Sequence, residues 1–412
     1  MVLGVAVDVS SYNSSTCVDL ADIMAKGSRK TATAGEAAAG VPLRYRRIVA
    51  KFGTNVLTAG TDRLNLDVIR HLIGQVAALH AQSADVIIVT SGAIAAGRYL
   101  LRDRRERKDM PYRQVLAAVG QSDLMQTYRE IFHEHGITVA QTLLTRRDLS
   151  DRQGYLNARN TLLAMLELRV VPVINENDVV AVDEIEGAKI GDNDNLSALV
   201  ANLVDANVLV LLTDTGGLHT ADPRRDAAAE LIERVDRIDA RIEALAGGVF
   251  EGPGVGGMTT KLQAARLATG GGADTVIAAG GEPDVLIRLA AGESIGTLFP
   301  ANVSRMESRK RWMLAGLSVK GSIVVDSGAA KVLRESRRSL LPAGVQDVQG
   351  AFQRGEAVTI LDGDKHRIAC GIANYASDEI MRIRGLRSDR IEEALGHHYG
   401  SEVVHRDNLV LL

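Results

Sequence analysis

Stretches of apolar, β-branched residues alternate with segments of helical period between residues 46 and 281, and this alternation restricts the fold more than any other feature. The stretches are apolar on both faces, which is typical of parallel strands covered by helices on both sides. Regular alternation of such strands with helices indicates an α/β sandwich. The predicted strands start near residues 46, 85, 137, 170, 207 and 273, and the predicted helices span residues 64–82, 112–135, 157–167, 196–204 and 259–268.

Differences in composition and periodicity divide the chain into three segments. Residues 1–45 are rich in Ser, Ala, Gly and Thr without a sustained period, so we expect a poorly ordered N-terminal extension. Residues 46–300 carry the α/β pattern. Residues 301–412 contain short strands separated by Gly and Asp, which predicts a small, mostly β domain built from antiparallel hairpins.

Composition and charge argue against several classes of protein. The chain of 412 residues is 46% hydrophobic, but no apolar run approaches the roughly 20 residues of a membrane span. We therefore expect a soluble protein with no membrane partner. The net charge of -3 argues against a dedicated nucleic-acid binder. The only two cysteines, Cys17 and Cys370, have neither disulfide nor zinc spacing, which favours a reducing, cytoplasmic location.

Polar and charged residues follow four of the predicted strands. Ligands of an open parallel sheet bind beyond the carboxyl ends of its strands, so these positions are the candidates for a site. Each alone is also typical of a solvated lysine, a helix cap or an ordinary loop. Together they predict one site at one edge of the sheet. The residues are Lys51 before a Gly-Thr turn, Ser91 before Gly92, the run Asn175, Glu176, Asn177 and Asp178, and the pair Thr213 and Asp214.

The turn "GDNDN" before the helix at residues 196–204 carries an excess of polar groups. A helix cap explains one such residue, not four. The carboxylates would organise lysines or a magnesium ion around a polyphosphate, and Asn193 would bind a polar substrate. We therefore add Asp192, Asn193 and Asp194 to the candidate site.

The segment "EGPGVGGMTTKLQAA" is a glycine-rich loop that opens a helix with Lys261 in its first turn. It matches a dinucleotide-binding pattern, but it follows a helical region and contains Pro253, so that interpretation is weak. A mobile loop that brings Lys261 opposite Lys51 suits phosphoryl transfer better, with a flexible linker as the alternative. No P-loop occurs, and "HRDNL" at His405 imitates a protein-kinase catalytic loop without the metal-binding motif that must follow.

None of the nine histidines falls in these motifs, which disfavours chemistry that needs a base near neutral pH. A carboxylate acceptor is already ionised at pH 7, since the reference pKa of glutamate is about 4.3, and attacks phosphorus without a base.

In this order, the motifs resemble the amino acid kinase family over about residues 46–300. The remainder, including "SRKRWMLAG", "SLLPAGV" and "HRDNLVL", resembles a PUA domain, which elsewhere binds RNA. The motifs that carry the kinase resemblance are "VAKFGTNVLTAG", "VTSGAIAAG", "VLAAVGQSDLMQ", "LLTRRDL", "YLNARNTL", "VPVINENDVV", "GDNDNLSALVA", "LLTDTGGLHTADP" and "GGMTTKLQAA".

The resemblance implies a fold, a reaction and roles for residues. The fold would be a three-layer sandwich with a mainly parallel, eight-stranded sheet, followed by a small PUA domain. The reaction would transfer phosphate from ATP, with Mg²⁺, to the side-chain carboxylate of L-glutamate, the first step of proline biosynthesis. Lys51, Asp194 and Lys261 would be catalytic; Ser91, Asn175, Asp178, Asp192 and Asn193 would bind glutamate; Lys51, Thr213, Asp214, Val255, Gly256, Gly257, Met258, Thr259, Thr260 and Lys261 would bind ATP.

The same resemblance implies a homo-oligomer, feedback inhibition by proline and a glutamyl phosphate reductase as functional partner. Three alternatives stay open on the sequence, the first being a structural α/β protein in which Lys51 and Lys261 have no part in ATP turnover. Another carboxylate kinase would share the phosphate machinery and differ in the loop at residues 180–191. An RNA-binding regulator that has lost catalysis would use residues 301–412, although this segment has only 17 basic against 14 acidic residues.

Overall fold

The computed structural model describes residues 42–102, 109–150, 152–181, 193–223, 225–226, 228–246, 257–301, 319–336 and 338–412. The predicted N-terminal extension lies outside the described residues up to position 41. From Leu43 onwards the described chain forms an α/β domain followed by a smaller domain, residues 319–412, which we call the C-terminal domain.

The α/β domain contains seven strands and ten helices among the described residues. The strands are β1 (Arg47–Phe52), β2 (Asp85–Val89), β3 (Val139–Leu144), β4 (Val171–Glu176), β5 (Val208–Thr213), β6 (Asp274–Ala279) and β7 (Thr297–Phe299). The helices are α1 (Thr54–Thr58), α2 (Leu66–Ala81), α3 (Ala93–Leu101), α4 (Met110–Glu134), α5 (Arg146–Ser150), α6 (Arg152–Glu167), α7 (Asn193–Leu203), α8 (Ala240–Ala246), α9 (Met258–Gly271) and α10 (Val285–Ala291). The six predicted strands and five predicted helices are confirmed, with boundaries shifted by a few residues.

The strands form one sheet in the order β3-β4-β2-β1-β5-β6-β7. All neighbours are parallel except β6 and β7, which are antiparallel. Because the central strands are buried on both faces, successive side chains of β1 enter two different cores. Ile48 and Phe52 pack with α2, α4 and α10 on one face, whereas Val49 packs with α6, α7 and α9 on the other. The predicted three-layer sandwich with a mainly parallel sheet is thus confirmed.

The prediction of eight strands is wrong by one strand within the described residues. The place beside β7 is taken by residues 233–235, where Arg234 forms a single parallel bridge with Leu298. The N–H of Val235 donates to the Leu298 carbonyl and the N–H of Leu298 donates to the Glu233 carbonyl, each at 2.9 Å. Since β7 itself has only three residues, it offers too few pairing groups to support a full eighth strand.

The C-terminal domain is a five-stranded sheet with short helices, so the predicted mostly β character is confirmed. The prediction that it is built from antiparallel hairpins holds only in part, because one pair of strands is parallel. The elements are β8 (Gly321–Val325), α11 (Ser327–Ser336), β9 (Val345–Gly350), β10 (Ala357–Leu361), β11 (Arg367–Ile372), α12 (Ser377–Ile383), α13 (Ile391–Leu395) and β12 (Leu409–Leu411). The sheet order is β12-β11-β10-β8-β9; β10 and β11 form an antiparallel hairpin, whereas β8 and β10 are parallel. A separate core of aliphatic side chains with Phe352 and Tyr375 fills this domain.

Helix α6 of the α/β domain contacts the C-terminal domain. Leu156 of α6 clusters with Ile372 and Val410 of β11 and β12, and Arg354 Nη2 donates to Asn157 Oδ1 at 2.7 Å. As for membranes, none of the helices in the described ranges has both the length and the apolar character that crossing a bilayer demands.

Candidate active site

Four adjacent strand ends meet at one edge of the sheet. Strands β4, β2, β1 and β5 lie side by side and run parallel, so their carboxyl ends share an edge. These are the four strands after which the sequence predicts site residues. The geometry that the prediction requires is therefore present. Lys51 lies near the end of β1, Ser91 follows β2, Asn175 lies at the end of β4 and Thr213 at the end of β5.

The carboxylate of Asp194 lies between the ammonium groups of two lysines. Lys51 Nζ is 2.7 Å from Asp194 Oδ1, and Lys261 Nζ is 3.1 Å from Asp194 Oδ2. The hydroxyl of Thr260 also donates to Asp194 Oδ2, at 2.8 Å. Lys51 comes from the central strand, Asp194 from the first turn of α7 and Lys261 from the first turns of α9. Three distant segments of the chain thus meet in one charged cluster, as the sequence predicts.

The charged cluster is buried, which makes its charge balance important. Lys51, Asp194 and Lys261 are 6%, 1% and 7% exposed. Burial acts to raise the pKa of the Asp194 carboxyl, but the charges of Lys51 and Lys261 and the hydrogen bonds from Lys51 and Thr260 outweigh it, so its pKa lies well below the usual range. The carboxylate is therefore ionised and lies between the side chains of two lysines. Such a cluster is suited to an anion such as a phosphate group.

Gly53, in the turn after β1, is a position without a side chain next to Lys51. A Cβ atom built on Gly53 would lie 3.6 Å from Lys51 Nζ and 3.4 Å from the Leu212 carbonyl oxygen. Glycine at this position therefore allows a ligand to approach the ammonium group without meeting a side chain.

A second, uncharged cluster lies next to the lysines and shares helix α7 with them. Asn193, the first residue of α7, donates from Nδ2 to Ser91 Oγ at 3.0 Å and to Asn175 Oδ1 at 3.1 Å. Asn175 Nδ2 in turn donates to Gln121 Oε1 at 2.8 Å. Because Asn193 and Asp194 are consecutive, the first turn of α7 links the uncharged cluster to the charged cluster.

Two buried polar atoms of the uncharged cluster have no hydrogen-bond partner among the residues that the structure describes. They are Gln121 Nε2, a donor, and Asn193 Oδ1, an acceptor. A buried polar atom without a partner costs free energy, about 1–3 kcal/mol. A ligand that offers one acceptor and one donor would satisfy both atoms.

Gln121 is a site residue that the sequence reasoning did not select. It lies within α4, where the only signal was the motif "VGQSDL" of the family resemblance. Its position depends on a close crossing of α3 and α4. A Cβ atom on Gly97 would lie 1.9 Å from the Leu116 carbonyl oxygen, and one on Gly120 would lie 1.8 Å from the Ala93 carbonyl oxygen. The two glycines let the helix backbones touch, and this contact places Gln121 beside the end of β4.

The remaining predicted residues divide into three groups. Asp192, Val255 and Gly256 lie outside the described residues. Thr213 and Asp214 lie at the end of β5 as predicted, and the Thr213 hydroxyl donates to Asp214 Oδ1 at 3.1 Å. Asp178 is half-buried just after β4. Met258 packs against the core and the Thr259 hydroxyl donates to the Ala246 carbonyl, so these two side chains make contacts away from Asp194; the carbonyl of Gly257 accepts from Thr260.

Comparison with known proteins gives consistent results over both domains. The profile of the Amino acid kinase family matches residues 46–279, and that of the PUA domain matches residues 321–395. A glutamate 5-kinase of Dehalococcoides mccartyi (strain CBDB1) is 52% identical over 368 residues, which cover 89% of this chain and 99% of the relative. Glutamate 5-kinases of Herpetosiphon aurantiacus and Burkholderia multivorans are 51% and 49% identical, each covering 89% of this chain and 98% of the relative.

Proposed function

The chain belongs to the amino acid kinase family, and from this premise we propose that its site transfers the γ-phosphoryl group of ATP to the side-chain carboxylate of L-glutamate. A carboxylate oxygen forms a bond to the γ-phosphorus while the bond from that phosphorus to the bridging oxygen of ADP breaks. The products are L-glutamyl 5-phosphate and ADP, and the reaction is the first step of proline biosynthesis. The carboxylate is ionised near neutral pH, so no protein base is required.

The observation that carries this proposal is the position of Asp194 between two buried lysines. During transfer, negative charge is spread over the oxygens of the moving phosphoryl group. Lys51 and Lys261 supply donors for those oxygens from two different elements, and Asp194 holds both ammonium groups in place before the substrates bind. Preorganised donors of this kind stabilise the transition state because they do not reorganise during the reaction.

The uncharged cluster next to the lysines binds glutamate. Asn193 and Gln121 offer one buried acceptor and one buried donor, which complement the ammonium and the carboxylate of an α-amino acid. Ser91 and Asn175 hold the Asn193 amide in position. Asp178, just after β4, and Asp192, which lies outside the described residues, complete the predicted set of glutamate-binding residues.

ATP would bind at the carboxyl end of β5 and the start of α9. Thr213, Asp214 and residues 255–261 are its predicted contacts, and Gly53 would let its phosphates approach Lys51 without meeting a side chain. Both oxygens of Asp194 contact lysines, so this carboxylate is not available as the centre of a protein cage for a metal. The donor set therefore fits a Mg²⁺ held mainly by the phosphates of ATP and water. When bound, Mg²⁺ neutralises part of the phosphate charge.

A substrate panel tests the proposed function. The full-length protein is assayed for ADP release with L-glutamate, L-aspartate and N-acetyl-L-glutamate, and hydroxylamine traps any acyl phosphate formed. We expect ADP release and trapped product with L-glutamate only. The side chain of aspartate is one methylene shorter than that of glutamate. Acetylation removes the ammonium group, which in the proposed complex donates a hydrogen bond to Asn193 Oδ1. Activity with aspartate or N-acetylglutamate but not with glutamate would assign the site to another carboxylate kinase.

The broader setting follows from the same family membership. We propose a cytoplasmic homo-oligomer that is inhibited by proline and that passes its product to a glutamyl phosphate reductase. An acyl phosphate hydrolyses readily in water, so a consuming enzyme must act soon after its release. RNA binding by the C-terminal domain is the corresponding proposal for the PUA fold, and its test is retention on RNA that falls with salt and requires residues 319–412.

A further inference from the structure

Arg159 of helix α6 joins the two domains through its buried guanidinium group. It is 2% exposed. Its Nη1 donates to the carbonyl of Leu203, its Nη2 donates to Asp205 Oδ2 at 2.6 Å, and its Nε donates to Asn408 Oδ1 at 3.1 Å. The first two acceptors belong to the α/β domain and the third to the C-terminal domain. One planar side chain therefore forms hydrogen bonds with both domains at once.

The acceptors in the α/β domain lie at the end of helix α7, whose beginning forms the active site. Leu203 is the last residue of α7, whereas Asn193 and Asp194 are its first two. The last carbonyls of a helix have no partner within it and carry a partial negative charge, so an arginine there both satisfies and attracts them. A second arginine, Arg47, donates to the Val204 carbonyl at 2.8 Å. Helix α7 is about 16 Å long, so a displacement at this end is carried to the site residues.

The acceptor in the C-terminal domain comes from the motif "HRDNL", which the catalytic site does not use. Asn408 is 1% exposed and directly precedes β12. Leu156, which packs on Ile372 and Val410, lies one turn of α6 before Arg159. Apolar packing thus fixes α6 on the C-terminal domain, and the Asn408 amide fixes the direction of the Arg159 guanidinium.

We propose that Asn408 and Arg159 are positioning residues through which the C-terminal domain sets the place of helix α7 in the active site. This inference deepens the proposed function and rests on it for its kinetic effect. Both residues act through α7, since Arg159 donates to the Leu203 carbonyl at the end of this helix and to Asn408. The C-terminal domain is accordingly a structural part of the catalytic unit, in addition to any ligand it binds.

Three variants of the full-length protein test the inference. Asn408→Leu keeps the approximate side-chain volume and removes the acceptor. Asn408→Asp keeps an acceptor oxygen next to the guanidinium. Ile323→Val, in the core of the C-terminal domain on β8, removes one methyl group far along the sheet from β12 and controls for general loosening of this domain. The measurements are kcat and KM for glutamate, and hydrogen exchange of the amides of residues 193–199, at a temperature well below all melting transitions.

We expect Asn408→Leu to raise KM for glutamate and to lower kcat, with a combined loss in kcat/KM of roughly three- to tenfold. Exchange in the first turns of α7 should be faster by a similar factor. Asn408→Asp should restore both readouts, and Ile323→Val should leave both unchanged. Equal effects of Asn408→Leu and Ile323→Val, or no rescue by Asn408→Asp, would overturn the inference. If the wild-type protein does not phosphorylate glutamate, the proposed function fails, while the exchange measurement still decides the positioning role.

Discussion

At the scale of the residue, Asp194 contacts the two lysines through different oxygens, so either lysine can be removed while the other stays paired. Lys261→Ala should therefore lower kcat about 100-fold or more, because the proposed donor to the transferring phosphoryl group is lost. Its effect on KM for glutamate should be small, since the uncharged cluster is intact. Steady-state kinetics check this. Arg266→Ala is the control: Arg266 lies on the same helix α9, but it is exposed and pairs with Glu243.

One result would contradict the proposed role of Lys261. If Lys261→Ala and Arg266→Ala lowered kcat equally, the ammonium group of Lys261 would have no special role in phosphoryl transfer.

Asp194→Asn is expected to differ from the lysine variant in its effect on stability. The sequence alone suggests that both changes lower turnover with the fold intact. In the structure, however, Asp194 is the buried counter-charge of two buried ammonium groups. Removing one partner of a buried ion pair costs about 3–5 kcal/mol, so Asp194→Asn should lose roughly this much free energy of unfolding besides its activity. Urea unfolding near pH 7 measures it. A loss no larger than that of Lys261→Ala would show that the lysines find other partners.

The same carboxylate gives a prediction for pH. The pKa of Asp194 is lower in the folded protein than in the unfolded chain, where it is about 3.9. Its contribution to stability is therefore fully present above about pH 4 and is lost as the pH falls towards the folded-state pKa. The stability difference between wild type and Asp194→Asn should be constant from pH 7 to about pH 5 and should shrink below about pH 4. Unfolding curves along this series would contradict the assignment if the difference grew in acid.

At the scale of the element, the strand ends could be predicted from the sequence, and the helix crossing could not. Lys51 gave a signal because a charged residue near the end of an apolar strand is unusual, and Asp194 gave one because its turn holds more polar residues than a helix cap requires. Gln121 gave little, since a glutamine within a helix is an ordinary surface residue. Its role depends on Gly97 and Gly120, and glycine in a helix predicts only a local weakness until the partner helix is known. Arg159 was missed for the same reason: an arginine on a helix is usually solvated.

The crossing of α3 and α4 makes a prediction about glycine. Gly120→Ala places a methyl group 1.8 Å from the Ala93 carbonyl oxygen, so the helices must separate. We expect a loss of about 1–3 kcal/mol in stability and a higher KM for glutamate, because Gln121 moves with α4. Gly74→Ala in α2 is the matched control, as its added Cβ has no atom within 4 Å. That change should stabilise the protein by up to about 1 kcal/mol. Thermal melts with glutamate kinetics measure both, and a neutral Gly120→Ala would contradict the close crossing.

At the scale of the whole molecule, the sequence predicted two domains but not how they meet. The change of sequence pattern after residue 300 separates the alternating strands and helices from the hairpins. The contact between the two domains, in contrast, is made by three types of interaction that only coordinates reveal. Leu156 packs on Ile372 and Val410, Arg159 binds Asn408, and Arg354 binds Asn157. Each of these residues lies in a helix, strand or loop whose sequence pattern is explained by contacts within its own domain. The sequence therefore gives no sign that the residue also contacts the other domain.

This contact should make the two domains unfold together. Leu156 is 1% exposed and forms the apolar part of the contact. Leu156→Ala should weaken it by about 2–5 kcal/mol, within the range for buried leucines. We expect a single calorimetric transition in the wild type and two in Leu156→Ala, because the C-terminal domain has its own core and can melt alone. Leu72→Ala, in the core of the α/β domain, costs a similar amount and should shift the single transition without splitting it. Two transitions in the wild type would mean that the domains are energetically independent, and the C-terminal domain could then not hold α7 in place through Arg159.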